Sequence, residues 1–114
     1  MKRLIKSFLY AINGIYTVWL EEASFRIQVW VTIAVIALGI YLKINFLEWI
    51  ILINCIVAVL SAEMINTAIE DLCNKVEPKT DPLIGKIKDI TSGFVLVVAI
   101  GALVIGVILF SRHF

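Results

Sequence analysis

The chain has 114 residues, of which 61% are hydrophobic and 17% charged, against roughly 45–50% apolar usage in soluble domains. That balance excludes an ordinary water-soluble domain and points to a protein embedded in a bilayer. Ten Lys and Arg against nine Asp and Glu leave a formal charge of +1, so charge implies no polyanion and no nucleic-acid partner is expected.

Residues 3–20, "RLIKSFLYAINGIYTVWL", set apolar side chains at Ile5, Phe8, Leu9, Ile12, Ile15, Tyr16 and Trp19. Lys2, Lys6, Asn13 and Thr17 recur on the other face, which is helical rather than strand period. With its basic polar side and its aromatic residues, the segment is predicted to be an amphipathic helix lying on the cytoplasmic membrane surface. The plainer alternative is a basic anchor with no catalytic part. No short apolar run with a small-residue cleavage site follows "MKRLIKSF", so the N-terminus is expected to stay on the mature protein.

"EEASF" then forms a polar break. Three apolar stretches follow, 27–42, 46–62 and 90–110, each near the roughly 17–25 residues that a helix needs to cross a bilayer core. The first gains length if Phe25 and Gln28 sit at the interface, and the second runs on in helical register to about Val76. The expectation is one domain over 1–114, with spans at about 25–42, 46–76 and 89–110.

The short turn "KINFLEW" makes the first two spans antiparallel neighbours. The second loop, "NKVEPKTDPLIGKIKD", holds both prolines, and Asp89, Thr91 or Ser92 is expected to cap the last span. Gly93, Ala99, Ala102 and Gly106 suit close helix packing in lipid. Cys55 and Cys73 fall on one helix, 18 residues or roughly 27 Å apart, and read as packing residues.

Lys2, Arg3, Lys6, Arg26, Lys75, Lys79, Lys86 and Lys88 share one side of this topology, while Lys43 and Arg112 fall opposite, eight against two. The positive-inside rule then places the N-terminus and second loop in the cytoplasm and the C-terminus outside.

The second span ends in "SAEMINTAIEDLCNK", residues 61–75. Taking 100° per residue, Asn66, Glu70 and Asn74 lie at about −60°, −20° and +20° from Glu63, one polar stripe. Glu63 stands roughly 25 Å along from Phe46, close to the lipid boundary, and Glu70 about 10 Å further into the headgroup layer. A solvated helix end explains single acids there. Two acids and an amide aligned from lipid to water mark a candidate site, since ionisable groups near the membrane are functional candidates. The spacing suits a reaction in which a lipid hydroxyl meets a triphosphate, the deep acid on the hydroxyl and the outer acid on a divalent cation. Phosphoryl transfer needs mostly positioning and charge neutralisation, and Lys86, Lys88, Arg3 and Arg26 lie on that side.

Three segments carry a resemblance: "EEASFRIQ" at 21–28, "EMINTAIED" at 63–71 and "GKIKDITSG" at 85–93. In this order and separation they resemble the small prokaryotic membrane lipid kinases, the diacylglycerol kinase and undecaprenol kinase family, over nearly the whole chain. The resemblance implies an all-α integral membrane protein: three transmembrane helices plus an N-terminal amphipathic surface helix, assembled as a homotrimer with active sites shared between neighbours.

It further implies an ATP- and Mg2+-dependent kinase of a membrane lipid alcohol in the cytoplasmic membrane. Glu63 matches the general base that takes the proton of the lipid hydroxyl, and Glu22 with Glu70 the metal ligands. Arg3, Tyr10, Glu22, Glu70, Lys88 and Asp89 match nucleotide-binding positions, and Arg3, Glu63, Asn66 and Ser92 lipid-binding ones. The chain departs from the family pattern at Ala11 and Ile12, at Thr80 and Asp81, and at Phe94, which bear on nucleotide-loop contacts and lipid-pocket shape. "FRI", "LINCIVAVLSAEMINTAIE" and "GFVL" look closer to the undecaprenol kinase branch, so undecaprenol is the expected acceptor, with diacylglycerol the alternative.

No GxxxxGK[ST] loop is present, so phosphates must be held by side chains and metal. Two readings from other classes compete. A small oligomeric transporter or channel would need a polar path through the bilayer, whereas the outer halves of the first two spans offer only Thr32 and Asn54. A purely structural subunit makes no demand on Glu22 or Lys88.

Overall fold

The computed structural model describes residues 1–76 and 81–114; Lys79, in the charge count above, and Thr80, among the departures, lie outside them. Among the described residues the chain folds as α1 (Lys2–Glu21), α2 (Ala23–Leu42), α3 (Phe46–Val76) and α4 (Pro82–Ser111). The fold is all-helical, and α2, α3 and α4 are long and apolar enough to cross a membrane. At 1.5 Å per residue a 31-residue α3 is about 46 Å long, against a hydrocarbon core of about 30 Å. One end of α3 must therefore stand beyond the lipid tails, and its polar end, with Glu70, Asp71 and Lys75, is the one suited to do so.

Between α1 and α2 only Glu22 leaves helical geometry, with φ −117° and ψ 113°. Its amide donates back to the carbonyl of Val18 at 2.9 Å. Arg26, one turn into α2, donates through Nη1 to the carbonyls of Trp19 at 2.6 Å and Leu20 at 3.1 Å. Those are carbonyls that the end of α1 leaves without helical partners, and a cation is favoured at that pole of the helix. The elbow is thus a latched corner rather than a loose linker.

At the opposite end, α2 closes on Lys43, which adopts left-handed geometry at φ 55° and ψ 51°. The amides of Ile44 and Lys43 return to the carbonyls of Gly39 and Ile40, both at 3.2 Å, the pairing of a Schellman stop. Gly39 lets this stop form: a Cβ there would lie 2.9 Å from Cη2 of Trp49 and 3.1 Å from Cδ1 of Ile44. Gly39→Ala is therefore expected to lower the unfolding temperature in detergent, at a cost of about 1–3 kcal/mol from overpacking. An unchanged unfolding temperature would mean the indole simply swings aside.

The start of α3 is a reciprocal cap. Asn45 Oδ1 accepts from the Glu48 amide at 2.9 Å and Glu48 Oε1 accepts from the Asn45 amide at 3.0 Å, the capping-box logic with Asn in place of Ser or Thr. Glu48 is buried and also faces Nε2 of His113 at 2.9 Å, which ties the far end of α4 to the start of α3. Below this tie sits a small core of Ile44, Leu52 and Leu109, flanked by Val35, Trp49 and Phe110.

The last helix begins earlier than the sequence suggested. It starts at Pro82, not near 89, and its cap is Asp81, whose side chain accepts from the Leu83 amide at 2.8 Å. Asp89, Thr91 and Ser92 are interior to the helix, and Thr91 Oγ1 donates to the Lys88 carbonyl. The physical reason is that a proline in the first turn has no amide to satisfy and already holds helical φ. Pro82 therefore opens a helix where it was read as prolonging a loop.

Thr32 and Asn54 turn their polar atoms to their own helices, donating to the carbonyls of Gln28 and Ile50 at 2.8 and 2.9 Å. That spares each a donor left unpaired in lipid. Most large apolar side chains are exposed; in α4 only Leu109 is buried. The molecule is a slab with extents of 50 × 41 × 20 Å, too thin in one direction to enclose a site by itself.

Candidate functional site

α3 carries Glu63 and Thr67 on its inner face, at 5% and 3% exposure, beside Ala62 at 1%. Periodicity accounts for this: positions 63 and 67 share a face with each other and, one turn on, with 70. The elbow brings α1 against both α2 and α3, and Val18 and Phe25, on either side of Glu22, are its buried apolar residues. The Thr67 hydroxyl is taken up by the Glu63 carbonyl at 2.9 Å, so it does not occupy the Glu63 carboxylate. No buried side-chain polar atom among the described residues is sealed off without a partner. The one ion pair among the described residues is that of His113 and Glu48, at the other end. Glu63 is thus buried, with its carboxylate paired to no cation among the described residues.

Glu22 is half-buried, at the one extended residue of the elbow. Its carboxyl is held above the usual carboxylate range, first by burial and then by the charges of Glu70, Asp71 and Glu21, with Arg26 acting the other way. Glu21 is raised as well, chiefly by the Asp71 charge beside it. The field of Glu22 also reaches Glu63. The fold therefore gathers Glu21 and Glu22 from the elbow with Glu63, Glu70 and Asp71 from α3.

On the neighbouring helix Lys88 is half-buried, and its ammonium donates to Oδ1 of Asn74 on α3. Asn66 and Glu70 are half-buried, and Asp89 and Ser92 are exposed. Arg3 and Tyr10 are not brought to the acids of their own chain. Both are exposed on α1, about 28 Å and 18 Å along its axis from Glu22 at 1.5 Å per residue.

Sequence reasoning missed two features here. Glu21 and Asp71 join the acidic group, signalled only by their adjacency to Glu22 and Glu70. Asn74 was read as the end of the stripe, without its partner on α4.

The donor set can be tested against a metal. Among the described residues no group of three or more His, Cys, Asp and Glu side chains could hold an ion alone. Glu22 and Glu70 nevertheless offer hard oxygen donors amid excess negative charge. That suits a magnesium-like ion, which is bound through one or two carboxylates and takes its remaining ligands from phosphate and water.

A family model described as prokaryotic diacylglycerol kinase matches residues 9–110. The chain is similar to an undecaprenol kinase of Bacillus subtilis (strain 168), with 32% identity over 110 residues covering 96% of this chain and 89% of that one. It is similar to a diacylglycerol kinase of Escherichia coli (strain K12), with 29% identity over 112 residues, 98% of this chain and 92% of the relative. A diacylglycerol kinase of Helicobacter pylori (strain ATCC 700392 / 26695) is 35% identical over 97 residues, 84% of this chain and 75% of its own.

Proposed function

The chain belongs to the prokaryotic diacylglycerol kinase family and is a lipid kinase of several membrane spans; from that premise we propose that it transfers the γ-phosphoryl group of ATP to a membrane lipid alcohol, with undecaprenol as acceptor. One observation supports the proposed chemistry: a buried Glu63, with no cation paired to it among the described residues, shares a helix with Glu70, and Glu22 of the elbow feels the charge of Glu70.

Glu63 takes the proton of the lipid hydroxyl as its oxygen bonds to the γ-phosphorus and the bond to the β-phosphate oxygen breaks, releasing ADP. Glu22 and Glu70 hold a divalent cation, Mg2+, which would offset triphosphate charge. Lys88 and Asp89 bind the nucleotide from α4, and Asn66 and Ser92 line the lipid side. Arg3 and Tyr10, too far along α1 to serve their own chain's acids, serve a neighbour's. This is consistent with a homotrimer whose sites are shared, and with an amphipathic α1 lying along the cytoplasmic face of the inner membrane. The 20 Å thickness of the protomer supports the same arrangement, because one such slab leaves Glu22 and Glu70 only partly covered.

Undecaprenol is favoured by the segments that look closer to that branch, "FRI", "LINCIVAVLSAEMINTAIE" and "GFVL". Relatives named for each alcohol are similar to this chain, so diacylglycerol is the second reading. The test is transfer of labelled γ-phosphate to undecaprenol and to diacylglycerol side by side in one detergent. Faster labelling of undecaprenol is expected. Preference for diacylglycerol replaces the acceptor and leaves the kinase standing, and labelling of neither lipid removes the proposed chemistry.

A further inference from the structure

Resting on that kinase reading, we propose that Asn74 is a positioning residue that holds the ammonium of Lys88 at the edge of the nucleotide site. Asn74 lies one turn beyond Glu70 on α3, about 6 Å further along the axis at 1.5 Å per residue. Its Oδ1 accepts from Lys88 Nζ across 14 residues of chain. Among the described residues it is the one side-chain to side-chain hydrogen bond between α3 and α4 at this end, the other such link being His113 with Glu48. The Lys88 backbone is held as well, since its carbonyl accepts from Thr91 Oγ1 at 3.0 Å.

The chemistry of the pair explains the choice of an amide. A lysine side chain is a point charge on a long flexible stem, and leaving it free spreads that charge over many rotamers. An acceptor on the facing helix restricts it to the turn just past the acids, which is where a triphosphate engaging Glu22 and Glu70 must pass. An amide oxygen orients the ammonium without cancelling its charge, so the attraction for phosphate is kept.

The test measures binding of a fluorescent ATP analogue, with kinetics for ATP and lipid, on the full chain in detergent. Asn74 is exposed and Ala is a stronger helix former, so Asn74→Ala is expected to fold, with helicity by circular dichroism as the check. It should weaken nucleotide affinity and raise KM for ATP about three- to tenfold, the scale of one partly exposed hydrogen bond to a charged group, with KM for the lipid unmoved. Asn74→Asp keeps an acceptor oxygen at the same reach but cancels the lysine charge, so its nucleotide affinity should fall at least as far as that of Asn74→Ala. In a Lys88→Met background Asn74→Ala should have no further effect, because its partner is gone.

Equal nucleotide affinity for Asn74→Ala and the unsubstituted protein would overturn the inference, as would a full additional loss in the Lys88→Met background. Absence of any phosphate transfer from ATP by the unsubstituted protein would instead bring down the kinase reading, and this inference with it.

Discussion

Glu63→Gln is expected to abolish phosphate transfer to a lipid alcohol while leaving nucleotide binding nearly unchanged. The amide keeps the shape of the side chain but cannot take a proton, and a positioned general base contributes about 10²–10⁴-fold to rate. Burial sharpens the expectation: at 5% exposure Glu63 has little water around it to substitute as base. Nucleotide affinity should survive because the groups proposed to bind ATP lie one or more turns further from the lipid. Labelled-phosphate transfer in micelles, with separate nucleotide titration, measures both. Activity within tenfold of the unsubstituted protein would remove Glu63 as base.

Glu70→Gln and Glu22→Gln are expected to act on the other substrate. Each removes a charged oxygen from the proposed cation site, so each should raise the Mg2+ concentration needed for half-maximal activity by about tenfold or more, a hard cation losing one of its few carboxylates. Glu22 adds a pH signature. Its pKa is raised by burial and by Glu70, Asp71 and Glu21, so protons compete with the cation, and the Mg2+ requirement should climb as pH falls through that raised value.

Stability has the opposite sign. A carboxyl whose folded pKa lies above its unfolded one favours folding at low pH and loses that contribution as pH rises through the folded value. Glu22→Gln should therefore leave the cation-free protein no less stable at neutral pH, and slightly more so, while weakening its use of Mg2+. A variant with an unchanged Mg2+ requirement and lower stability would make Glu22 a structural residue instead.

Much of this architecture could be read from residue order. Apolar run lengths gave α2, α3 and α4 as spans, because a bilayer enforces length and hydropathy more strictly than any soluble core does. The polar stripe of α3 followed from helical period alone. Glu22 was different: nothing local distinguishes it from a solvated acid, and its place beside Glu70 depends on how the elbow folds, so only the family resemblance pointed to it.

The early start of α4 was legible in principle, since Asp81 followed by Pro82 is a cap and first turn, but the two prolines together read as a loop. The Asn45–Glu48 box was equally available, as Asn with Glu three positions on before an apolar run. The partner of that box was not: His113 is 65 residues away from Glu48, and no periodicity reports a meeting of helix ends. Glu21 and Asp71 belong to the same class, adjacent to known candidates yet joined only by tertiary contact.

Arg26 alters how charge near the acids should be counted. An arginine one turn from Glu22 invites the role of counter-ion or phosphate clamp, yet its terminal nitrogen is bolted to the backbone of the preceding helix. It works as a hinge pin: it ties the first turn of α2 to the last turn of α1 across the corner that carries Glu22. Losing it should loosen the corner that holds Glu22 without removing any group proposed to meet substrate.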